Sequence, residues 1–186
     1  MAVLDDFKGA SIVVKIAFIL LFIASLFTCI SYTTTAWGYD DIAPGQYFGL
    51  WRLCGDTDIP TGCSELDGWA NDWYGVVQAF VTFGFFGTLV TFFLIILFIF
   101  VGKCQKNGEV GMAAGIIGIV TGIFYVIGII VFATKFDKYW IDTTNTRWKL
   151  GYSFALSVVA LILEIIGGIL MIVEAKGGGG KTQSSA

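Results

Sequence analysis

Read for hydropathy, the chain alternates between four long apolar runs and shorter polar interruptions. The first run is Ile12 to Tyr32, "IVVKIAFILLFIASLFTCISY", and the second is Tyr74 to Val101, ending in "VTFFLIILFIFV". The third is Val110 to Phe132 and the fourth Leu150 to Val173. About 20 consecutive apolar residues suffice for a helix to cross the hydrocarbon of a bilayer. The runs are rich in β-branched and aromatic residues, which suit strands in water. In lipid a helix is favoured, because it satisfies its own backbone hydrogen bonds. The pattern therefore predicts four transmembrane helices over 12–32, 74–101, 110–132 and 150–173. The first run has a second reading as a cleavable signal peptide, since Thr34-Thr35-Ala36 is a small-residue cleavage site. Asp5 and Asp6 beside Lys8 are a poor match to the basic flank such a signal carries.

Between the runs lie a long polar loop (33–73), a short one (102–109) and a medium one (133–149). A single domain over 1–175 and a flexible, low-complexity tail over 176–186, "KGGGGKTQSSA", follow from this layout. Composition agrees: 56% of residues are hydrophobic and 13% charged, against about 25% charged in soluble domains. There is no histidine, so imidazole metal ligands and histidine bases are excluded. No nucleophile–base pair, phosphate loop or metal cluster is present, and the expectation is a chain without enzymatic activity, cofactor, metal or nucleic-acid partner. Its expected surroundings are the lipid bilayer.

Lysine and arginine barely distinguish the two sides of the membrane, with Lys8, Lys15, Lys103, Lys106, Lys176 and Lys181 on one and Arg52, Lys135, Lys138, Arg147 and Lys149 on the other. Cysteine is more informative. Cys54 and Cys63 lie close together in the long polar loop, which suits a disulfide on the oxidising side. A zinc site is the rival reading, but Cys29 and Cys104 lie in or beside membrane spans and supply no further ligands there. The long loop is thus expected outside and both termini in the cytosol. Around the cysteines, "SYTTTAW" and "YFGLWRLC" have the β-branched and aromatic content of strands, and predict a small disulfide-stitched sheet.

The order Trp37, then Gly49-Leu50-Trp51, then Cys54 and Cys63 resembles the W…GLW…C…C signature of the claudin superfamily. That superfamily includes claudins, peripheral myelin and epithelial membrane proteins, and stargazin-type receptor subunits. Val77-Gln78-Ala79 and Arg147-Trp148-Lys149-Leu150-Gly151 are similar to stretches at the heads of its second and fourth spans, and Gly167-Gly168 also fits. The resemblance implies a membrane α-helical fold: a left-handed four-transmembrane-helix bundle with a small extracellular antiparallel β-sheet. It further implies a plasma-membrane protein of cell–cell junctions, self-associating in cis and in trans, that forms a paracellular barrier or cation-preferring pathway. The alternatives within the superfamily are an auxiliary subunit of an ion channel or receptor and an adhesion or membrane organiser. The chain departs from typical claudins in its short Trp37-to-Trp51 interval, in Phe80 and Val81 where an arginine is usual, and in Lys149 where an acid is usual.

Individual residues carry the remaining expectations. Between Gly38 and Trp73 the acidic residues Asp40, Asp41, Asp56, Asp58, Glu65, Asp67 and Asp72 face Arg52 as the single cation. They form either a solvated surface or a cation-favouring filter; Glu65, Asp67, Asp56 and Asp58 are the charge-selection candidates. A calcium site is a weaker reading, since "DTDIP" lacks the glycine and distal glutamate of a calcium loop. Gly111, Gly115, Gly118 and Gly122 let helices approach closely, within the bundle or between copies. Glu164 lies inside the fourth run and calls for a hydrogen-bonding neighbour or a relay role. Cys104, beside Lys103, is a palmitoylation candidate or a plain thiol. Tyr139, Trp140 and Ile141 are candidates for interfacial or partner contacts in the second outer loop.

Overall fold

The computed structural model describes residues 2–40, 46–55, 62–66, 72–136 and 148–178. Among the described residues four helices are long and apolar enough to cross a membrane: α2 (Ile12–Thr33), α3 (Asp72–Phe100), α4 (Gly108–Phe136) and α5 (Tyr152–Gly178). A short helix, α1 (Ala2–Gly9), precedes them. Five short strands form one antiparallel sheet: β1 (Gly38–Asp40), β2 (Tyr47–Phe48), β3 (Arg52–Cys54), β4 (Cys63–Glu65) and β5 (Trp148–Leu150), in the order β4-β3-β2-β1-β5.

Local sequence sets the helix starts. The Ser11 hydroxyl oxygen accepts the backbone N–H of Val14, capping α2. Asn107 does the same for α4, accepting from the N–H of Glu109. The preceding Lys106 has φ of 57°, the left-handed conformation that turns the chain between α3 and α4. The fourth helix starts two residues later than hydropathy indicates, because Trp148–Leu150 pairs with β1 as a strand. Nor is "SYTTTAW" a strand. Ser31 to Thr33 complete α2, the Thr33 hydroxyl donates to the Cys29 carbonyl, and the strand begins at Gly38. Threonine tolerates this because its hydroxyl can bond the preceding turn.

The chain forms two compact units, each containing part of every long helix. In one (1–25, 86–123 and 161–186), Val14, Ala17 and Leu21 of α2 pack with Ile95, Phe98 and Ile99 of α3, Ala114 of α4 and Met171 of α5. Phe7 of α1 meets Phe18 edge-on, with ring centroids 5.6 Å apart. The glycines set the spacing. A Cβ at Gly115 would lie 2.7 Å from the Gly168 carbonyl oxygen, and one at Gly122 would lie 2.7 Å from Ile165. Gly111 abuts Ala175 and Phe98, and Gly118 abuts Thr91 and Gly168. All four glycines thus make contacts inside this unit.

In the other unit (26–85 and 124–160) the sheet meets the helix ends through aromatic side chains. Trp37 is fully buried, edge-on to Phe132 at 5.1 Å and to Phe154 at 6.1 Å. Its indole N–H donates to the Ser31 carbonyl at 2.8 Å, so the apolar ring is buried without stranding its polar atom. Phe48 packs edge-on against Tyr74 and also contacts Phe136.

Because Gly115 abuts backbone, Gly115→Ala cannot be relieved by a side-chain rotation. It should destabilise the protein by about 1–3 kcal/mol, the usual cost of overpacking, read as a lower unfolding temperature in detergent. Gly9→Ala, where nothing lies within 4 Å, should leave that temperature unchanged.

Candidate functional site

The Gly49-Leu50-Trp51 segment is a turn between β2 and β3. The Gly49 N–H donates to the Arg52 carbonyl at 2.8 Å and closes it. Gly49 has no room for a side chain, since a Cβ there would sit 2.7 Å from the Thr35 Cα. Leu50 is buried. The turn's carbonyls point to the head of α3, where the Tyr74 hydroxyl donates to Gly49. The Gln78 side-chain amide donates to Leu50 at 3.0 Å and to Leu66 at 3.3 Å. One glutamine thereby holds both the turn and the segment leaving β4.

From this anchored turn the register runs outward. Arg52 stands opposite Glu65, Leu53 opposite Ser64, and Cys54 opposite Cys63. Cys54 and Cys63 are joined by a disulfide across the two strands. The Leu66 N–H donates to the Trp51 carbonyl at 2.9 Å, and Gly55, at φ 76°, donates to Gly62 at 3.1 Å. The β3–β4 pair is thus covalently closed at one end and tied to α3 at the other.

Glu65 is exposed on β4, an edge strand, and faces exposed Arg52 across the ladder. Directly opposed residues have Cβ atoms about 5 Å apart, so the residue across the ladder from Glu65 is a cation. Asp40 is buried, and so differs from an acid on a solvated loop surface. Asp72 is exposed in the first turn of α3, where a negative charge complements the helix dipole. Asp41, Asp56, Asp58, Asp67, Tyr139, Trp140 and Ile141 lie outside the described residues.

Trp51 differs from Trp37 in being 40% exposed. It leans edge-on against Tyr32, whose ring stacks on Phe85 with centroids 4.4 Å apart. Cys104 is half-buried in the turn after α3, and Cys29 is half-buried on α2.

Glu164 of α5 occupies a separate polar site inside the membrane-spanning helices and is 1% exposed. One carboxyl oxygen accepts from the Thr88 hydroxyl of α3 at 2.6 Å, the other from Thr121 of α4 at 2.9 Å. The group joins three helices in one unit, the hydrogen-bonded arrangement a buried polar group needs.

Sequence reading identified Gln78 only by likeness and did not assign Tyr74. A glutamine inside an apolar span is itself a signal, because its amide must find partners away from water. Where those partners lie depends on the path of the loop. Among the described residues no group of three or more His, Cys, Asp or Glu could hold a metal ion.

A family model described as the PMP-22/EMP/MP20/Claudin family matches residues 9–171. The chain is 26% identical to Claudin-18 from Mus musculus over 193 aligned residues, covering 86% of this chain and 72% of that protein. It is 26% identical to Claudin-18 from Rattus norvegicus and 25% identical to that from Bos taurus. Each of these two alignments covers 71% of this chain and 59% of the relative.

Two outcomes follow from this geometry. Cys54→Ser or Cys63→Ser should lower stability by about 2–3 kcal/mol, the chain-entropy value for so short a loop, and reduce delivery to the cell surface. Surface biotinylation and unfolding in detergent check this, and mass mapping of free thiols in the unsubstituted protein would refute it. Gln78→Leu should cost about 1–3 kcal/mol by leaving the buried Leu50 carbonyl and the part-buried Leu66 carbonyl without this donor, with Gln78→Glu failing to rescue it, since a carboxylate donates nothing.

Proposed function

The chain belongs to the PMP-22/EMP/MP20/Claudin family, and from that premise we propose that it is a structural protein of cell–cell junctions, forming a paracellular barrier or cation-preferring pathway. As a member of that family it is a multi-pass membrane protein rather than an enzyme. Four crossings return the chain to its starting side, so both termini share one side, which we assign to the cytosol of the plasma membrane. The sheet with its disulfide then faces the extracellular space, where a disulfide persists.

The observation that carries this reading is an anchored, disulfide-closed sheet bearing an exposed carboxylate, Glu65, on its edge strand. An edge strand has backbone donors and acceptors that can pair with another chain, which supports self-association between neighbouring copies. The acidic surplus of the long loop supports a preference for cations, because charges lining a narrow path act on ions within about 8 Å at physiological ionic strength. The register refines the roles: Arg52 opposes Glu65, so the two side chains should influence permeation in opposite directions.

Glu65→Gln should lower the sodium-to-chloride permeability ratio across an expressing epithelial monolayer, and Arg52→Gln should raise it. Both should leave strand assembly between cells intact. A lysine at position 65 is the poorer test, since it would set two cations directly opposite each other and strain the ladder. Asp5→Asn, at the other end of the chain, should change nothing. If expression leaves conductance and ion preference unaltered while a channel co-purifies stoichiometrically in mild detergent, the junction reading falls and an auxiliary-subunit role replaces it.

A further inference from the structure

A groove of about 340 Å³ lies between the end of α2 and the Gly49–Arg52 turn, lined by Tyr32, Thr33, Thr34, Thr35, Trp51 and Arg52. We propose that it binds the zwitterionic headgroup of a membrane phospholipid, with the phosphate on Arg52 and a quaternary ammonium in the open angle beside the two aromatic rings, at the end of α2.

The lining chemistry matches both halves of such a headgroup. Arg52 is exposed, and its guanidinium carries several donors that suit phosphate oxygens. Glu65 stands opposite it in the ladder, but no ion pair joins the two among the described residues. Tyr32 and Trp51 meet edge-on at 65° with centroids 5.6 Å apart. Two rings at such an angle form the corner of an aromatic cage, the arrangement that receives quaternary ammonium groups. Residues of the last turn of α2 complete the ammonium side. The Ser31 carbonyl takes the Trp37 indole N–H and the Ile30 carbonyl takes the Thr34 N–H. The carbonyls of Tyr32 and Thr33 accept no hydrogen bond among the described residues. They form the negative end of the helix dipole, which favours a cation.

The walls are fixed, so the groove is preformed. Tyr32 is held by its stack on Phe85 and by a 3.2 Å hydrogen bond with the Thr82 hydroxyl. Trp51 and Arg52 belong to the turn that Tyr74 and Gln78 hold. Thr34 is held by the Ile30 carbonyl and by Ser153, its hydroxyl lying 2.7 Å from the serine's.

Position selects a lipid over a soluble ligand. Leu26 and Ile30 are 46% and 43% exposed on α2, inside the span that crosses the membrane. Thr33, also exposed, follows them on the same face at the spacing of successive helical turns. An acyl chain lying over Leu26 and Ile30 therefore brings its headgroup to Thr33 and the groove. The bulk of the site, an arginine beside a tryptophan at the end of a span, is the composition of a membrane interface.

The test uses the full-length protein in maltoside detergent, mixed with equal amounts of a phosphatidylcholine, a phosphatidylglycerol and a diacylglycerol of matched chains. Native mass spectrometry reads the lipid retained. The wild type should retain phosphatidylcholine above the other two. Arg52→Gln should lower that retention about tenfold, the loss of one charge-assisted hydrogen bond. Trp51→Leu should abolish the preference for phosphatidylcholine over phosphatidylglycerol. Folding is checked by the intact Cys54–Cys63 bond and an unchanged melting temperature, and Arg52→Gln serves alone if the tryptophan variant misfolds. Wild-type retention by Arg52→Gln overturns the proposal. So does equal retention of diacylglycerol, which would mean an apolar coating only, or of phosphatidylglycerol, which would remove the ammonium site.

Discussion

Backbone carbonyls buried in protein cannot rely on water, and the turn after β2 depends on that constraint. Tyr74 and Gln78 of α3 supply donors to the carbonyls of Gly49, Leu50 and Leu66. These bonds fix a strand turn to a helix that is itself fixed by its neighbours. Once the turn is held, Trp51 and Arg52 have a defined place, β3 follows, and the disulfide carries the order across to β4. Removing water from around such bonds raises their importance, because an unmet buried carbonyl costs more than a met one contributes.

Inside the membrane-spanning helices the governing effect is close approach. Apolar side chains gain little from leaving lipid for protein, so helix association relies on contact and on hydrogen bonds. Gly115 and Gly168 let α4 and α5 come together backbone to backbone, and Gly87 receives the Thr121 side chain. The same threonine bonds Glu164. Small residues and the carboxyl thus belong to one arrangement: the glycines bring the helices within reach, and the acid then joins three of them.

Much of this was legible in the sequence, and the reasons for the exceptions are physical. Membrane helices are legible because apolar length is a one-dimensional property, and the four runs matched α2 to α5 to within a few residues. Strands of two or three residues are too short to show a period. Leu150 reads as the start of a hydrophobic run, with Trp148 and Lys149 in the loop before it, until β1 is there to pair with all three. The threonines of "SYTTTAW" suit strand and helix end alike, and the hydroxyl bonds to the preceding turn decide between them. In the candidate site, the signature residues could be picked out by type. The opposition of Arg52 and Glu65 could not, because register is set by the turn and not by composition.

The strand order gives the molecule a built-in schedule. β1 lies just after the first long helix, yet one of its two neighbours is β5, which the ribosome delivers only after three of the long helices have been made. Until then one side of β1 has no partner, and the hairpin strands form an incomplete sheet. Loop closure over so long a stretch of chain is among the slower steps in folding. The strand ahead of the last helix is therefore coupled to the first loop in biogenesis: the arrival of β5 completes a structure begun near the start of synthesis, and a chain stopped before β5 would expose an open strand to the quality-control machinery of the cell.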